Sequence, residues 1–150
     1  MQEIDIYTDA SCEPNPGHCG YAAILKTITG ATKTVAGAIR KTTANRAKMY
    51  AIYYGLNALK KPCIVNIHTN LNYLLGSYDK IKKYGVDECS NNDIWKDIVN
   101  FGYELNFKIF CKRDELCEEQ ILAKDIANTY ALMDIAETDA VDVNYERTAY

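Results

Sequence analysis

Three strand-like segments follow one another with only turns between them, and helical periodicity begins only after the third. This order restricts the fold more than any other feature of the chain. Residues 3–9 put Ile4, Ile6 and Thr8 on one side and Asp5, Tyr7 and Asp9 on the other, the two-residue period of a strand. The stretch from Ser11 to Gly20 carries Pro14, Pro16 and Gly17 and predicts a turn. Residues 20–28 and 32–39 read as two further strands joined near Thr29 and Gly30. A helix is expected over 43–59, with Thr43 or Thr42 as its N-cap and Lys60-Lys61-Pro62 as its end. Then come a strand (63–69), a helix (71–83), and a helix begun by Asn91-Asn92-Asp93 and running to about Phe101. A strand (104–111) and a last helix (118–135) complete the pattern. Short turns join antiparallel neighbours, whereas parallel neighbours need a long crossover. The order β-β-β-α-β-α-α-β-α therefore predicts an α/β fold with a mixed sheet flanked by helices. Residues 137–150 hold Glu137, Asp139, Asp142 and Glu146 with little apolar bulk, so a loose acidic tail is expected beyond a domain over 1–136.

Composition narrows what such a domain can do. The 150 residues are 48% apolar and 25% charged, enough to bury one core without staples. No run approaches the roughly 20 apolar residues of a spanning helix, so no membrane partner is expected. A formal charge of −3 excludes a broadly basic surface, and nucleic acid would have to meet a local patch. The six cysteines form no CxxC pair and only two histidines accompany them, which argues against zinc. The acidic, strand-like opening predicts no export signal. Free thiols in a reducing, cytoplasmic setting are the expectation.

Two helices carry an anomaly. On the first, Lys48 shares a face with Ile52, Gly55 and Leu59. On the last, Lys124 falls with Ile121, Ala127, Ala131 and Ile135. One lysine on a packing face can snorkel from the rim of a core. Two such lysines, with Asp9 at the end of the first strand, suggest a shared cluster.

The chain resembles type 1 ribonuclease H across residues 3–135. The resemblance rests on Ile6-Tyr7-Thr8-Asp9-Ala10-Ser11, Asn15-Pro16-Gly17 and Gly20-Tyr21-Ala22-Ala23-Ile24-Leu25. It continues through Thr42-Thr43-Ala44-Asn45-Arg46-Ala47-Lys48-Met49-Tyr50-Ala51, Ile67-His68-Thr69-Asn70-Leu71-Asn72-Tyr73 and Asn91-Asn92-Asp93-Ile94-Trp95. It ends with Phe110-Cys111-Lys112 through Ala123-Lys124-Asp125-Ile126-Ala127. The resemblance implies an RNase H-like fold: a five-stranded mixed sheet, its first three strands antiparallel and its fourth and fifth parallel to the first. It also implies four carboxylates holding two Mg²⁺ or Mn²⁺ ions about 4 Å apart. Carried over, the first carboxylate is Asp9, but the other three positions hold Lys48, Asn70 and Lys124. The family's loop histidine falls on Asp114 and a nearby asparagine on Gln120.

The four positions thus carry a net charge of +1: one negative from Asp9, one positive each from Lys48 and Lys124, none from Asn70. A divalent ion about 4 Å from one ammonium is opposed by roughly 8 kcal/mol at an effective dielectric near 20. The expectation is therefore no metal, no cofactor, and a catalytically degenerate protein. It would bind RNA–DNA hybrid or another duplex without metal-dependent cleavage, through Asn15, Thr43, Asn45, Asn72, Lys112 and Arg113, using shape and backbone contacts. Three other readings stand beside it. A protein-interaction or scaffold module could use the twelve tyrosines, with Tyr50, Tyr53 and Tyr54 crowded on one helix. Residual ribonuclease activity would need Asp5, Asp114, Glu119 or Asp125 as substitute ligands. Cys111 and Cys117 could form a redox pair.

Overall fold

A computed structural model of the chain describes residues 2–71, 73–87, 89–101, 106–111 and 117–148. The elements are β1 (Glu3–Cys12), β2 (Gly17–Thr27), β3 (Thr32–Thr42), α1 (Ala44–Asn57), β4 (Ile64–Thr69), α2 (Tyr73–Tyr84), α3 (Asn92–Asn100), β5 (Asn106–Cys111), α4 (Glu118–Leu132) and α5 (Val143–Thr148). The strands form one sheet in the order β3-β2-β1-β4-β5. β1 pairs antiparallel with β2, and β2 with β3. β4 is parallel to β1, and β5 to β4.

The alternation along β1 assigns its two faces. Ile4 and Ile6 point into the main core, where Ile52 and Leu56 of α1, Val65 and Ile67 of β4, Leu74 of α2 and Trp95 and Ile98 of α3 are all buried. Ala10 continues that side against Ala47 and Ala51. The opposite face is covered by α4, whose Ala123 and Ala127 lie on Ala22 and Ile24, with Tyr7 packed alongside. The contact is a close one: a Cβ at Gly20 would collide with the backbone carbonyl of Ala127. Only glycine allows the helix to approach β2 so tightly.

The sequence reading needs four corrections. The turn after β1 is shorter than expected, because the β1–β2 ladder extends to the Cys12–Cys19 pair. Those two cysteines form a disulfide, so the expectation of free thiols fails for them; Cys63, Cys89 and Cys117 are free. The buried stripe of α4 is Gln120, Ala123, Ala127 and Ala131, whereas Ile121 and Ile135 are exposed. Small side chains win that face because the helix backbone sits against Gly20.

The fourth correction concerns the acidic tail, which is not loose. Ala140 pairs with the edge of β3 at Ile39, and Asp142 is 1% exposed. The Asp142 carboxylate accepts hydrogen bonds from Arg46 Nε (2.7 Å) and Nη2 (2.9 Å), the Thr42 hydroxyl (2.7 Å) and the Tyr50 hydroxyl (3.0 Å). Arg46 also donates to Asp93 at 2.6 and 3.0 Å, and Asn144 donates to the same carboxylate at 2.8 Å. His18 Nε2 lies 2.9 Å from Asp139, and Arg40 grips Glu146 through two hydrogen bonds. A buried carboxylate is tolerated when paired and hydrogen-bonded, and here its partners come from β3, α1 and the backbone of α5.

Candidate functional site

Asp9 sits near the C-terminal end of β1 on the α4 side, with 2% of its surface exposed. Its Oδ1 accepts from the backbone N–H of Ala10 at 2.8 Å. At the end of β4, Asn70 extends its Nδ2 toward both Asp9 oxygens at 3.4 and 3.5 Å. From α4, Lys124 donates to the Ala10 carbonyl at 3.1 Å, and Gln120 donates to the Thr8 carbonyl at 2.6 Å. These bonds fix the start of α4 to the strand that carries Asp9. Both Lys124 and Lys48, the latter from α1, act electrostatically on the Asp9 carboxyl. The structure thus gathers Asp9, Lys48, Asn70 and Lys124 from four separate elements.

Burial sets the net balance at this cluster. Desolvation raises the Asp9 pKa above the ordinary aspartate value. The Ala10 N–H, Lys124, Lys48 and Asn70 each pull it back, in that order, without cancelling the rise. The two ammonium groups therefore offset only part of the cost of burying Asp9. Asn70 Oδ1 is buried and has no hydrogen-bond partner among the described residues.

This donor set does not fit a pair of divalent ions. Hard cations such as Mg²⁺ take oxygen ligands in near-octahedral geometry and rely on carboxylates for charge. Here one carboxylate has an oxygen tied to Ala10, the neighbouring amide presents nitrogen to it, and two ammonium groups stand in its field. The substitute ligands considered from the sequence are placed elsewhere. Asp5 lies 2.9 Å from His68 Nε2, Glu119 accepts from Lys26 at 2.6 Å, and Asp125 is exposed on α4. Asp114 lies outside the described residues.

The expected nucleic-acid contacts divide in the same way. Thr43 is the N-cap of α1, its oxygen accepting from the Arg46 N–H at 3.2 Å. Asn15 Oδ1 accepts from the Ala44 N–H at 3.0 Å, so both side chains serve the same helix start. Asn45 is exposed on the first turn. Asn72, Lys112 and Arg113 lie outside the described residues, as does the loop between Cys111 and Cys117. Tyr50, Tyr53 and Tyr54 pack mainly on one another, on Tyr21 and on Phe101, rather than forming a free aromatic surface.

Sequence reasoning missed a crevice beside Thr43. It has a volume of about 590 Å³ and is bounded by Thr43, Arg46, Asn91 and Asn92, with Asn144 and Tyr145 of the docked tail on its far wall. Asn91 has a left-handed backbone (φ 57°) and makes no side-chain cap bond. Its Oδ1 instead accepts from Arg46 Nη1 at 3.1 Å. The Asn91-Asn92-Asp93 run was available as a signal, but in sequence it reads only as a helix start.

Comparison with known proteins agrees with this architecture. The RNase H family model matches residues 1–125. A ribonuclease H of Caldanaerobacter subterraneus is 35% identical over 106 residues, covering 64% of this chain and 69% of that protein. One from Acidiphilium cryptum is 45% identical over 105 residues, covering 64% and 65% respectively. Among solved structures, LC11-RNase H1, a compost metagenome protein crystallised with an RNA/DNA hybrid, superimposes with a TM-score of 0.59. The superposition covers 84% of this chain and 94% of that one at 22% identity, a likeness of fold. With the sheet order and the convergence of the four site positions, the match over most of its length makes this chain a member of the RNase H family.

Proposed function

We propose that this protein binds RNA–DNA hybrid, or a closely related duplex, without cutting it through divalent metal. One observation carries the reading. Among the four positions that converge at the end of β1, three hold Lys48, Asn70 and Lys124, so the cluster is weakly cationic around a single buried carboxylate. A relative of the same fold is crystallised with an RNA/DNA hybrid, which supports a nucleic-acid partner for this surface. Proteins recognise A-form duplexes mostly by shape and by backbone contacts. The cationic cluster offers ammonium groups to a backbone phosphate where metal-dependent relatives would offer ions. The crevice beside Thr43 offers a second polar contact, since the Thr43 hydroxyl keeps a hydrogen to donate after accepting from Arg46.

The test is a fluorescence-anisotropy titration of labelled hybrid, double-stranded RNA and double-stranded DNA in EDTA, at two salt concentrations. The expected result is hybrid affinity that needs no divalent ion, weakens with salt as phosphate contacts require, and falls when Lys48 and Lys124 are both replaced by glutamine. No detectable affinity for any duplex would defeat the reading and leave a protein-interaction role on the RNase H fold as the better account.

A further inference from the structure

The outer edge of β3 and the segment that follows α4 enclose a second concave surface, with a volume of about 370 Å³. Ala36, Gly37 and Ala38 of β3 form one side; Tyr130 of α4, with Met133 and Asp134 just beyond it, forms the other. No lysine or arginine lines it. Asp139 borders it too, but that carboxylate is taken up by His18 at 2.9 Å. Asp134 and Glu137 are exposed on the same stretch and form no ion pair among the described residues. Beside them stand Met133 and, 73% and 64% exposed, Leu132 and Ile135.

The edge of the sheet is open here. Along a strand, the N–H and C=O of one residue point to one side and those of the next residue to the other. The Ala38 carbonyl accepts from the Ala140 N–H at 2.9 Å, and the Arg40 N–H donates to the Ala140 carbonyl at 2.8 Å, so both residues face outward. The same period turns the backbone groups of Thr34 and Ala36 outward, and no strand lies beyond β3 among the described residues. Thr34-Val35-Ala36-Gly37 carries none of the charges or prolines that blunt an exposed edge.

We propose that this edge takes up an extended, basic segment of a protein partner as an added strand. Its main chain pairs with Thr34 and Ala36, its lysine or arginine side chains meet Asp134 and Glu137, and its apolar side chains cover Leu132, Met133 and Ile135. Strand addition draws affinity from the main chain and selectivity from the alternate side chains. The C-terminal segment already uses this mode on a small scale, since Ala140 pairs at Ile39 in a single bridge, and the partner strand continues along the same edge toward Thr32. Charge decides the occupant. The unpaired carboxylates repel a nucleic-acid backbone. A second copy of this chain, joined edge to edge about a twofold axis, presents the same acidic patch to itself, and like charges disfavour that contact. β3 lies two strands away from β1 and Asp9, and the proposal does not rest on the nucleic-acid reading.

The probe is a short fluorescein-labelled peptide of alternating lysine and valine, titrated with the full chain at low salt and read by anisotropy. Two further versions carry backbone N-methyl groups, one on the lysines and one on the valines, and each blocks the hydrogen bonds of one strand edge. One of the two is expected to lose affinity about tenfold or more while the other keeps it. Glutamate in place of lysine in the peptide should weaken binding about tenfold or more. Asp134→Asn/Glu137→Gln in the protein should weaken the parent peptide about threefold or more, with the wild-type circular dichroism kept because both side chains are exposed. Equal affinity for the two methylated peptides would reduce the contact to general charge attraction and overturns the proposal. So does unchanged binding by the double variant, or no binding of the parent peptide at millimolar protein. Sedimentation showing a dimer that the peptide dissociates would assign the edge to a second copy and overturns it as well.

Discussion

Replacing Asp142 by alanine tests whether the acidic C-terminal segment belongs to the folded structure. The Asp142 side chain is completely buried. It accepts from Arg46 Nε and Nη2, from the Thr42 and Tyr50 hydroxyls, and from the Tyr145 N–H at 3.2 Å. The Asp142→Ala change leaves Arg46 with Asp93 as its remaining carboxylate partner, and strips two hydroxyls of an acceptor. Breaking a buried pair from one side costs about 3–5 kcal/mol. At roughly 2 cal/mol/K of unfolding entropy per residue, that loss lowers Tm by about 10–15 °C for a chain of this length. The assay is thermal unfolding followed by circular dichroism, with urea midpoints as a second measure. The acid limb supplies an internal check. Burial opposes ionisation of Asp142, but hydrogen bonds from Arg46, Thr42 and Tyr145 hold its pKa below the ordinary value. Hydrogen bonding to Arg46 does the same for Asp93. A lowered folded-state pKa stabilises the protein above the unfolded carboxylate range, near pH 4, and that stability is lost as pH falls through the lowered value. Asp142→Ala should therefore cost most at neutral pH and little in strong acid. A Tm shift below about 3 °C at neutral pH would refute the clamp.

Two further substitutions probe the Asp9 cluster. Asp9→Asn is expected to stabilise the protein at neutral pH, because burial raises the Asp9 pKa and its ionisation opposes folding there. The gain should shrink in acid, where the wild-type carboxyl is already protonated and a rotated Asn70 amide can accept from it through Oδ1, which has no other partner among the described residues. Urea titrations at both pH values measure the effect; lower stability at neutral pH would mean that the lysines outweigh burial. The triple change Lys48→Glu, Asn70→Asp and Lys124→Asp removes both cations and restores the carboxylates that the family places at these positions. Calorimetry should detect Mn²⁺ uptake by the folded triple variant and little by any single one, since such sites act as units. A folded triple variant that takes up no metal would show that the four positions do not share a site.

The architecture follows from local signals because each of them had one dominant reading. The alternation of residues 3–9, the short turn at Thr29 and Gly30 and the Thr43 cap all survive in β1, the β2–β3 turn and α1. The misreadings come from places where distant partners decide. Residues 137–150 have the composition of a solvated tail, and it is Arg46, 96 residues from Asp142 in sequence, with the Thr42 and Tyr50 hydroxyls, that makes the burial of Asp142 tolerable. Helical spacing groups Ile121 and Ile135 with Ala127 and Ala131 on one face of the last helix, and only the alanines of that set are buried. Gly20 draws the helix backbone so close that only the alanines fit between. At the candidate site, residue types and charge were available from the sequence. The dominance of burial over two lysines at Asp9 was not, because it depends on how completely the sheet and α4 exclude water there.

The central claim meets its most direct test when purified protein, cleared of host ribonuclease, is incubated with end-labelled RNA–DNA hybrid in Mg²⁺ and separately in Mn²⁺. The RNA strand should remain intact on a denaturing gel while a parallel binding measurement shows the hybrid bound. Cleavage that disappears in the Asp9→Asn variant would contradict the account, because it would show that one carboxylate among two lysines still supports the reaction.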